Sequence, residues 1–302
     1  MAPGGAIAVS GASGMVGRAI VSALEARGDR VVRLVRRPAG EGEVEWHPDR
    51  GELASGALSG VRAVIHLAGE SIASGRWTED RKRRIETSRT TSTSLLARAV
   101  ADHPDRPALI CAAAIGIYGP DHGDAWLDET SSEDGAGFLA EVCRAWEAAA
   151  EPARRAGVRT AHLRLGVVLS KEGGALAKLL PVFRLGGGGK VGSGNQYMSW
   201  VAIDDVVRAF LFVLDRDDLS GPFNVVAPRP VSNRDFTKAL ATALGRPAIV
   251  PVPALALKLA LGEMATETIL ASQRVRPTQL VDAGFTFSYP EIETAIQAVL
   301  RD

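Results

Sequence analysis

The stretch SGASGMVG near the N-terminus constrains the fold of this chain more than any other feature. It follows the short apolar run AIAVS and places Gly11, Gly14 and Gly17 at regular spacing before an amphipathic segment. Glycines in this pattern allow a tight turn, close approach of the backbone to a pyrophosphate, and close packing of helix on strand. The free N–H groups at the start of the helix then bind the phosphates. We therefore predict a dinucleotide-binding βαβ unit here.

Short β-branched runs alternate with longer amphipathic segments over the first two thirds of the chain, a pattern typical of a parallel sheet with helices on both faces. The runs that we interpret as strands cover residues 6–10, 30–35, 43–46, 62–68, 107–114, 159–166 and 221–227. The predicted helices cover residues 15–27, 78–102, 137–156, 173–185, 203–216 and 232–244. The sequence thus predicts an α/β fold with a doubly wound, parallel, seven-stranded Rossmann sheet.

The residues after the second predicted strand distinguish NAD from NADP. An NAD-preferring site usually presents an acidic residue there to the ribose 2′-OH, whereas this chain has Arg36 and Arg37. A guanidinium binds a 2′-phosphate through two hydrogen bonds. We therefore predict NADP as the cofactor and Arg36 as the ligand of its phosphate. The alternative is that both arginines are solvated surface charges.

The pattern changes after residue 227 to short apolar segments separated by prolines, which predicts a smaller, mostly helical C-terminal substrate domain. The glycine-rich stretch RLGGGGKVGSGNQ, residues 184–196, also breaks the alternation and is either a flexible hairpin or a functional loop. We predict an NADP-binding Rossmann domain formed by residues 1–170 plus 201–227. Residues 171–200 plus 228–302 would form the small substrate or lid domain.

The composition argues against several classes of partner. Because 35 Lys and Arg balance 35 Asp and Glu, no net field favours nucleic acid or an anionic membrane. No segment reaches the roughly 18 consecutive apolar residues of a membrane span, and the N-terminus does not resemble a secretory signal. We expect a cytoplasmic protein. The two cysteines and the scattered histidines lack the spacing of metal ligands, so we expect no metal site.

Three segments in order, SGASGMVG, HLAGE and IGIYG, resemble the extended short-chain dehydrogenase/reductase superfamily. Four more, RWTEDRKRRIETSRTTST, LRLGVVLS, GSGNQYMSWVAIDDV and GFTFSYP, are similar to its atypical, epimerase-family branch. Members of that branch carry a C-terminal helical domain of unknown function. Some are described as nucleoside-diphosphate-sugar epimerase-like, others as cell-division-inhibitor-like. The resemblance covers nearly the whole chain.

The resemblance implies a path for the cofactor. The positions that match cofactor-binding residues of the family lie in the glycine-rich turn, near the ends of three strands and on the long helix: Gly11, Ser13, Gly14, Met15, Val16, Gly17, Arg36, Leu67, Ala68, Arg89 and Val168. The turn would hold the pyrophosphate, Leu67 and Ala68 would line the adenine and ribose side, and Val168 would lie near the nicotinamide. Arg89 is either a phosphate ligand, because an inward-pointing charge needs an anionic partner, or a solvated helix residue.

The catalytic groups of the superfamily are missing from the matching positions. Ordinary members use a Tyr-x-x-x-Lys pair on the helix after the fifth strand and a Ser or Thr at the end of that strand. The residues in these three places are Ala114, Leu139 and Cys143. The remaining candidates for proton transfer are Glu70, Tyr118 and Glu141. The alternative is a structural role for each of them, such as core packing for the tyrosine and helix contacts for the carboxylates.

Two functions are compatible with these features. The first is an NADP(H)-dependent oxidoreductase or epimerase-like enzyme with a non-standard active site, acting on a small or nucleotide-linked carbonyl compound. The second is a dinucleotide-sensing regulatory protein without turnover. We expect a dinucleotide and a small-molecule substrate as partners, and the helices at 78–102 and 137–156 are compatible with a monomer or a homodimer.

Overall fold

The apolar runs of the sequence form the strands of a central sheet in the computed structural model, which describes residues 4–133 and 135–301. In chain order the strands are β1 (Ala6–Ser10), β2 (Val31–Val35), β3 (Glu43–His47), β4 (Glu52–Leu53), β5 (Val61–His66), β6 (Ala108–Ala114), β7 (Asp121–Leu127), β8 (Thr160–Leu165), β9 (Val167–Leu169), β10 (Tyr197–Met198), β11 (Trp200–Ala202), β12 (Gly221–Val225), β13 (Val231–Ser232) and β14 (Ser272–Val275). The α-helices are α1 (Met15–Ala26), α2 (Glu79–Asp102), α3 (Phe138–Ala148), α4 (Glu151–Arg155), α5 (Gly174–Arg184), α6 (Ile203–Leu214), α7 (Asn233–Leu244), α8 (Ala254–Leu261), α9 (Thr278–Asp282) and α10 (Ile292–Arg301).

The central sheet has eight strands in the order β12-β8-β6-β5-β1-β2-β3-β4. Its first seven members pair in parallel and match the seven predicted strands. The eighth, β4, is a two-residue antiparallel edge strand, too short to leave a periodic pattern in the sequence. Because β1 pairs with β2 on one side and β5 on the other, the strand order reverses there, and a ligand crevice is expected at the carboxyl ends of these strands.

Helices cover both faces of the sheet, as the predicted doubly wound fold requires. Alternate residues of β1 face opposite cores: Ile7 and Val9 pack with α1 and α6, whereas Ala6 and Ala8 pack with α2. All five residues of β1 are buried. The crevice therefore opens at the strand ends, above a sheet that is closed on both sides.

The helix predicted over 137–156 is two helices, α3 and α4. Pro152 lies in the first turn of α4. A proline has no N–H to donate to the carbonyl four residues earlier, here that of Ala148, the last residue of α3. The prediction of one continuous helix was therefore wrong. The spacing of apolar residues continues unchanged through the break and so did not reveal it.

The C-terminal residues are mostly helical but do not all form a separate lid. Leu280, Phe285 and Phe287 pack into the main core beside α1 and α6. Strand β14 pairs with β7, so the tail returns to the end of β6. A third core joins α5, α7 and α10. The division into two domains at the boundaries given above stays a prediction.

The glycine-rich stretch is packed along the segment around Val250. The Val250 N–H donates to the Gly188 carbonyl at 3.1 Å. A Cβ on Gly189 would lie 1.8 Å from the Val250 carbonyl oxygen, and one on Gly188 would lie 2.6 Å from the Phe183 ring. The glycines thus allow two backbones to approach closely, and this contact replaces the flexible hairpin that was one alternative.

Candidate functional site

Two glycines of the SGASGMVG turn have no room for a side chain. Gly11 has φ +69, and a Cβ on it would lie 2.7 Å from the carbonyl carbon of Leu67. A Cβ on Gly17 would lie 2.1 Å from the Gly11 carbonyl oxygen. Gly14 is exposed, and a Cβ on it would lie 3.3 Å from that oxygen. Gly11 and Gly17 therefore hold β1, α1 and the end of β5 together, and Gly14 presents bare backbone to the crevice.

The N-terminus of α1 lacks the groups that usually satisfy a helix start. Its cap residue, Gly14, forms no side-chain hydrogen bond, and its first turn contains no acidic residue. The first N–H groups of a helix have no partner within the helix and carry a partial positive charge. The residues present therefore fit an anionic group such as a pyrophosphate at this point.

The two arginines after β2 have different environments. Arg37 donates hydrogen bonds of 2.7 and 2.6 Å to the two carboxylate oxygens of Glu43. Arg36 is exposed and forms no hydrogen bond or ion pair with the described residues. Of the two guanidinium groups, only that of Arg36 is available to a ligand at the end of β2.

Arg89 points into the protein from α2. Its Nη1 donates to the Ile85 carbonyl at 2.9 Å, and its guanidinium lies 5.0 Å from the centre of the Trp146 ring. A Cβ on Gly69, in the loop after β5, would lie 3.3 Å from the Arg89 Cζ. Burial lowers the pKa of Arg89, and no carboxylate in the described part of the chain forms an ion pair with it. The solvated alternative does not fit this position.

The other predicted cofactor residues meet around the same crevice. Val16, Leu67 and Val168 lie at the edge of the main core, and Ala68 lies at the edge of the core beside α2. Ser13 is exposed.

The start of α5 covers the turn. A Cβ on Gly173 would lie 3.1 Å from the Met15 sulfur, and one on Gly174 would lie 3.5 Å from the Val168 carbonyl oxygen. The Lys178 Nζ donates to the Ala73 carbonyl at 2.8 Å. The helix is thereby connected across the crevice to the loop after β5.

A buried histidine fixes the floor of the crevice. The His66 Nδ1 lies 2.6 Å from the Ser10 hydroxyl, and its Nε2 lies 3.1 Å from the Ser92 hydroxyl. Burial lowers the pKa of His66 to about 3. The neutral ring therefore links β1, β5 and α2, and both of its nitrogens are used in doing so.

Tyr118 lies within the core and not at the crevice. Its hydroxyl donates to the Asn224 Oδ1 at 2.9 Å and accepts from the Arg164 Nη1 at 3.1 Å. Burial raises the pKa of Tyr118 to about 12. Although burial opposes the charge of Arg164, two hydrogen bonds to Glu147 raise the pKa of this guanidinium. The hydroxyl is thus engaged in a buried network, which matches the structural alternative for Tyr118.

The two candidate carboxylates differ in position. Glu141 is exposed in the first turn of α3. Glu70 is half-buried in the loop after β5, where its carboxylate lies 3.8 Å from the Arg81 Nη2 and its N–H donates to the Ser88 hydroxyl at 3.0 Å. Glu70 directly follows Gly69, which packs against Arg89. Of the three candidates, Glu70 is the one beside the predicted cofactor residues.

The positions that match the missing dyad face the loop after β6 but are apolar. A Cβ on Gly116 would lie 3.5 Å from the Leu139 Cβ and 3.4 Å from the Cys143 sulfur. Burial raises the pKa of the Cys143 thiol to about 12. These side chains pack against the loop and provide no proton donor near neutral pH.

Glu267, which no sequence pattern indicated, lies beside these positions. Its carboxylate accepts hydrogen bonds from the N–H groups of Phe138 and Leu139, at 2.8 and 2.7 Å, and so caps α3 from the C-terminal part of the chain. Burial raises the pKa of Glu267, and the two hydrogen bonds oppose this effect. The available signal was Gly137, which starts α3 without a capping side chain. It indicates a missing cap but does not identify the residue that supplies it.

Two further features concern the described ranges, 4–133 and 135–301. No helix in them is long and apolar enough to cross a membrane. They also contain no group of three or more His, Cys, Asp or Glu residues arranged to hold a metal ion.

Comparison with known proteins tests the resemblance. Residues 7–226 match the NAD dependent epimerase/dehydratase family, and residues 252–299 match a domain of unknown function, DUF1731. An epimerase family protein of Mycobacterium bovis is 43% identical over 291 residues, which cover 96% of each chain. Both parts of the predicted resemblance, the epimerase-type fold and the C-terminal domain of unknown function, are confirmed.

Two solved structures of similar proteins support the same family assignment. The crystal structure of human epimerase family protein SDR39U1 with NADPH is 32% identical, has a TM-score of 0.90, and the match covers 98% of this chain and 99% of that one. The nucleoside-diphosphate sugar epimerase from Corynebacterium glutamicum is 39% identical with a TM-score of 0.82, over 98% of this chain and 58% of that one. With the crevice, the glycine turn and these matches together, the chain belongs to the NAD dependent epimerase/dehydratase family.

Proposed function

We propose that this protein is an NADP(H)-binding, epimerase-like oxidoreductase with a non-standard active site, whose substrate is a small or nucleotide-linked carbonyl compound. The observation that carries the proposal is the pair of arginines that form no ion pair with the described residues, Arg36 and Arg89, on either side of the glycine turn. A mostly buried cation is costly without an anionic partner. The Glu70 carboxylate acts on Arg89 through space but forms no ion pair with it, so a bound anion explains Arg89. The NADPH in the human relative's structure supports the same cofactor here.

Different residues of the crevice would bind different parts of the cofactor. The N–H groups of the first turn of α1 would bind the pyrophosphate, with Gly14 allowing its close approach. Arg36 would bind the 2′-phosphate, and the exposed fork of its guanidinium suits two parallel hydrogen bonds. When bound, NADPH supplies a hydride equivalent. Val168 and the start of α5 would exclude water from the nicotinamide end.

Proton transfer is assigned to Glu70, with Arg81 as its neighbour. The Arg81 Nη2 donates to the Ser71 carbonyl at 2.6 Å, whereas its Nε is buried and has no hydrogen-bond partner among the residues that the structure describes. A buried donor without a partner is unusual and suits an electron-rich oxygen of a substrate. Arg81 would orient the carbonyl oxygen, and the Glu70 carboxyl would hold the proton that this oxygen exchanges.

A second candidate function is dinucleotide sensing without turnover. It is favoured by the apolar side chains of Leu139 and Cys143 at the dyad positions. Two contacts join the walls of the crevice, the Glu267 cap on α3 and the Lys178 hydrogen bond to Ala73. A dinucleotide bound between these walls would change the stability of the two contacts. A partner protein could then bind the conformation that the dinucleotide favours.

The test is a fluorescence titration with NADPH and NADH, followed by stopped-flow oxidation of NADPH against a panel of carbonyl and quinone compounds. NADPH should bind more tightly than NADH, and Gly14→Val should abolish binding because its side chain fills the space for the pyrophosphate. Glu70→Gln should slow oxidation without changing NADPH affinity, whereas Glu141→Gln, the same change on exposed α3, should have no effect. Absence of NADPH binding would refute the proposal. Tight binding without turnover on any compound would favour the sensor.

A further inference from the structure

A cavity of about 490 Å³ lies between α7 and the glycine-rich stretch. Among the described residues, four cationic side chains and no acidic one line it: Lys190, Arg234, Lys238 and Arg246. None of the lining residues belongs to the dinucleotide crevice. In a chain with a formal net charge of zero, this is a strongly unequal local distribution of charge.

The fold brings these cations together from two separate segments. Arg234 and Lys238 are four residues apart on α7 and therefore share one face of the helix. Arg246 follows the C-cap Gly245, whose φ of +60 turns the chain back at the helix end. Lys190 comes from the glycine-rich stretch, where a Cβ on Gly194 would lie 3.2 Å from the Lys190 Cδ and 3.4 Å from the Arg234 Cβ. The glycine thus allows these two side chains to lie side by side.

No carboxylate of residues 4–133 and 135–301 forms an ion pair with these cations. The Arg234 Nη2 donates to the neutral amide oxygen of Asn195 at 2.9 Å. The side chains of the other three form no hydrogen bond or ion pair within the part of the chain that the structure describes. Asp235, the acidic residue in the first turn of α7, accepts from the Ser232 hydroxyl at 2.6 Å and does not line the cavity. The segments 173–203 and 236–262 contain no Asp or Glu.

We propose that this cavity binds a small molecule that carries more than one phosphate group. Arg234 and Lys238 lie one turn apart on α7, and Arg246 follows the C-terminus of the helix, so the cations are spread out and a chain of phosphates can contact more of them than a single phosphate can. Arginine binds phosphate through a two-pronged contact and lysine as a point charge. No aromatic side chain lines the cavity, so recognition rests on the phosphates and not on stacking of a base.

The experiment is calorimetric titration of the full chain with inorganic tripolyphosphate, pyrophosphate and orthophosphate, each with saturating NADPH to occupy the crevice. Affinity should increase with the number of phosphates. The double variant Lys238→Gln with Arg246→Gln should weaken tripolyphosphate binding at least about tenfold, since two charge-assisted contacts are lost. The control, Arg184→Gln with Lys258→Gln, removes the same charge from exposed positions outside the cavity and should change the affinity less than about twofold.

Four results would overturn the proposal. One is no binding of tripolyphosphate. Another is an equal loss in both double variants, which would indicate a general charge effect. The third is binding to vesicles of an anionic phospholipid without binding to tripolyphosphate, because the cations would then serve a membrane surface. If NADPH displaced tripolyphosphate fully, the anion would occupy the crevice and the cavity would not be its site.

Discussion

The substitution Arg36→Ala should weaken NADPH binding without changing the stability of the protein. Arg36 is exposed and has no partner among the residues described, so removing its side chain breaks no contact of the folded chain. Arg37, the adjacent cation, is held by two hydrogen bonds to Glu43 and cannot turn to replace it without breaking them. We therefore expect the loss to appear in ligand binding and not in stability.

The magnitude follows from the contact that is lost. A guanidinium that grips a 2′-phosphate forms two charge-assisted hydrogen bonds, each worth about 1.5–3 kcal/mol when well shielded. Solvent and salt weaken such contacts at an exposed position like that of Arg36. We expect a total loss of about 1.4–2.8 kcal/mol, which corresponds to about a 10- to 100-fold increase in Kd for NADPH. NADH has no 2′-phosphate, so its Kd should change less than about twofold.

The assay is fluorescence titration of the wild type, Arg36→Ala and Arg37→Ala with both dinucleotides at two salt concentrations. The Arg37→Ala variant is the matched control and should keep the preference for NADPH. The ratio of the Kd for NADH to the Kd for NADPH should decrease at high salt in the wild type and stay small in Arg36→Ala. Equal losses for the two dinucleotides, or a larger effect from Arg37→Ala, would refute the assignment of the 2′-phosphate to Arg36.

Four further predictions test the walls and floor of the crevice. Glu267→Ala leaves two N–H groups of α3 uncapped and should lower the free energy of unfolding, measured by urea denaturation, by about 1–2 kcal/mol. Glu267→Gln should have an intermediate effect. An unchanged free energy of unfolding would contradict the capping role of Glu267. Folding lowers the pKa of His66 from 6.5 to about 3, so between these values protons bind preferentially to the unfolded chain. The free energy of unfolding should therefore fall as the pH drops from 6.5 toward 3. The melting temperature of His66→Asn should depend less on pH over this range. Gly17→Ala places a Cβ 2.1 Å from a backbone oxygen and should reduce soluble yield and melting temperature, and wild-type behaviour would disprove the close approach. Leu139→Tyr with Cys143→Lys should lower the melting temperature without creating carbonyl reductase activity, because both polar groups enter apolar packing; robust activity would show that the pocket accepts them.

The sequence alone determined the features that depend on neighbouring residues. The glycine spacing of SGASGMVG, the alternation of strands and helices, and the position of Arg36 after β2 are local patterns, and they predicted the parallel sheet and the crevice at its edge. The resemblance added the C-terminal domain of unknown function, which the comparison confirmed. The period of apolar residues could not show the break between α3 and α4 or the two-residue strand β4, because neither changes that period.

Only the tertiary structure decided which distant side chains meet. Tyr118 follows β6, at the end of the short 3-10 helix Ile115–Tyr118, yet its hydroxyl is paired with Asn224, 106 positions along the chain. Glu267 caps a helix 129 positions earlier, and the cationic cavity joins Lys190 to α7. Local propensity carries no information on such pairs, because the free energy of each contact depends on burial and on partners that only the completed fold supplies.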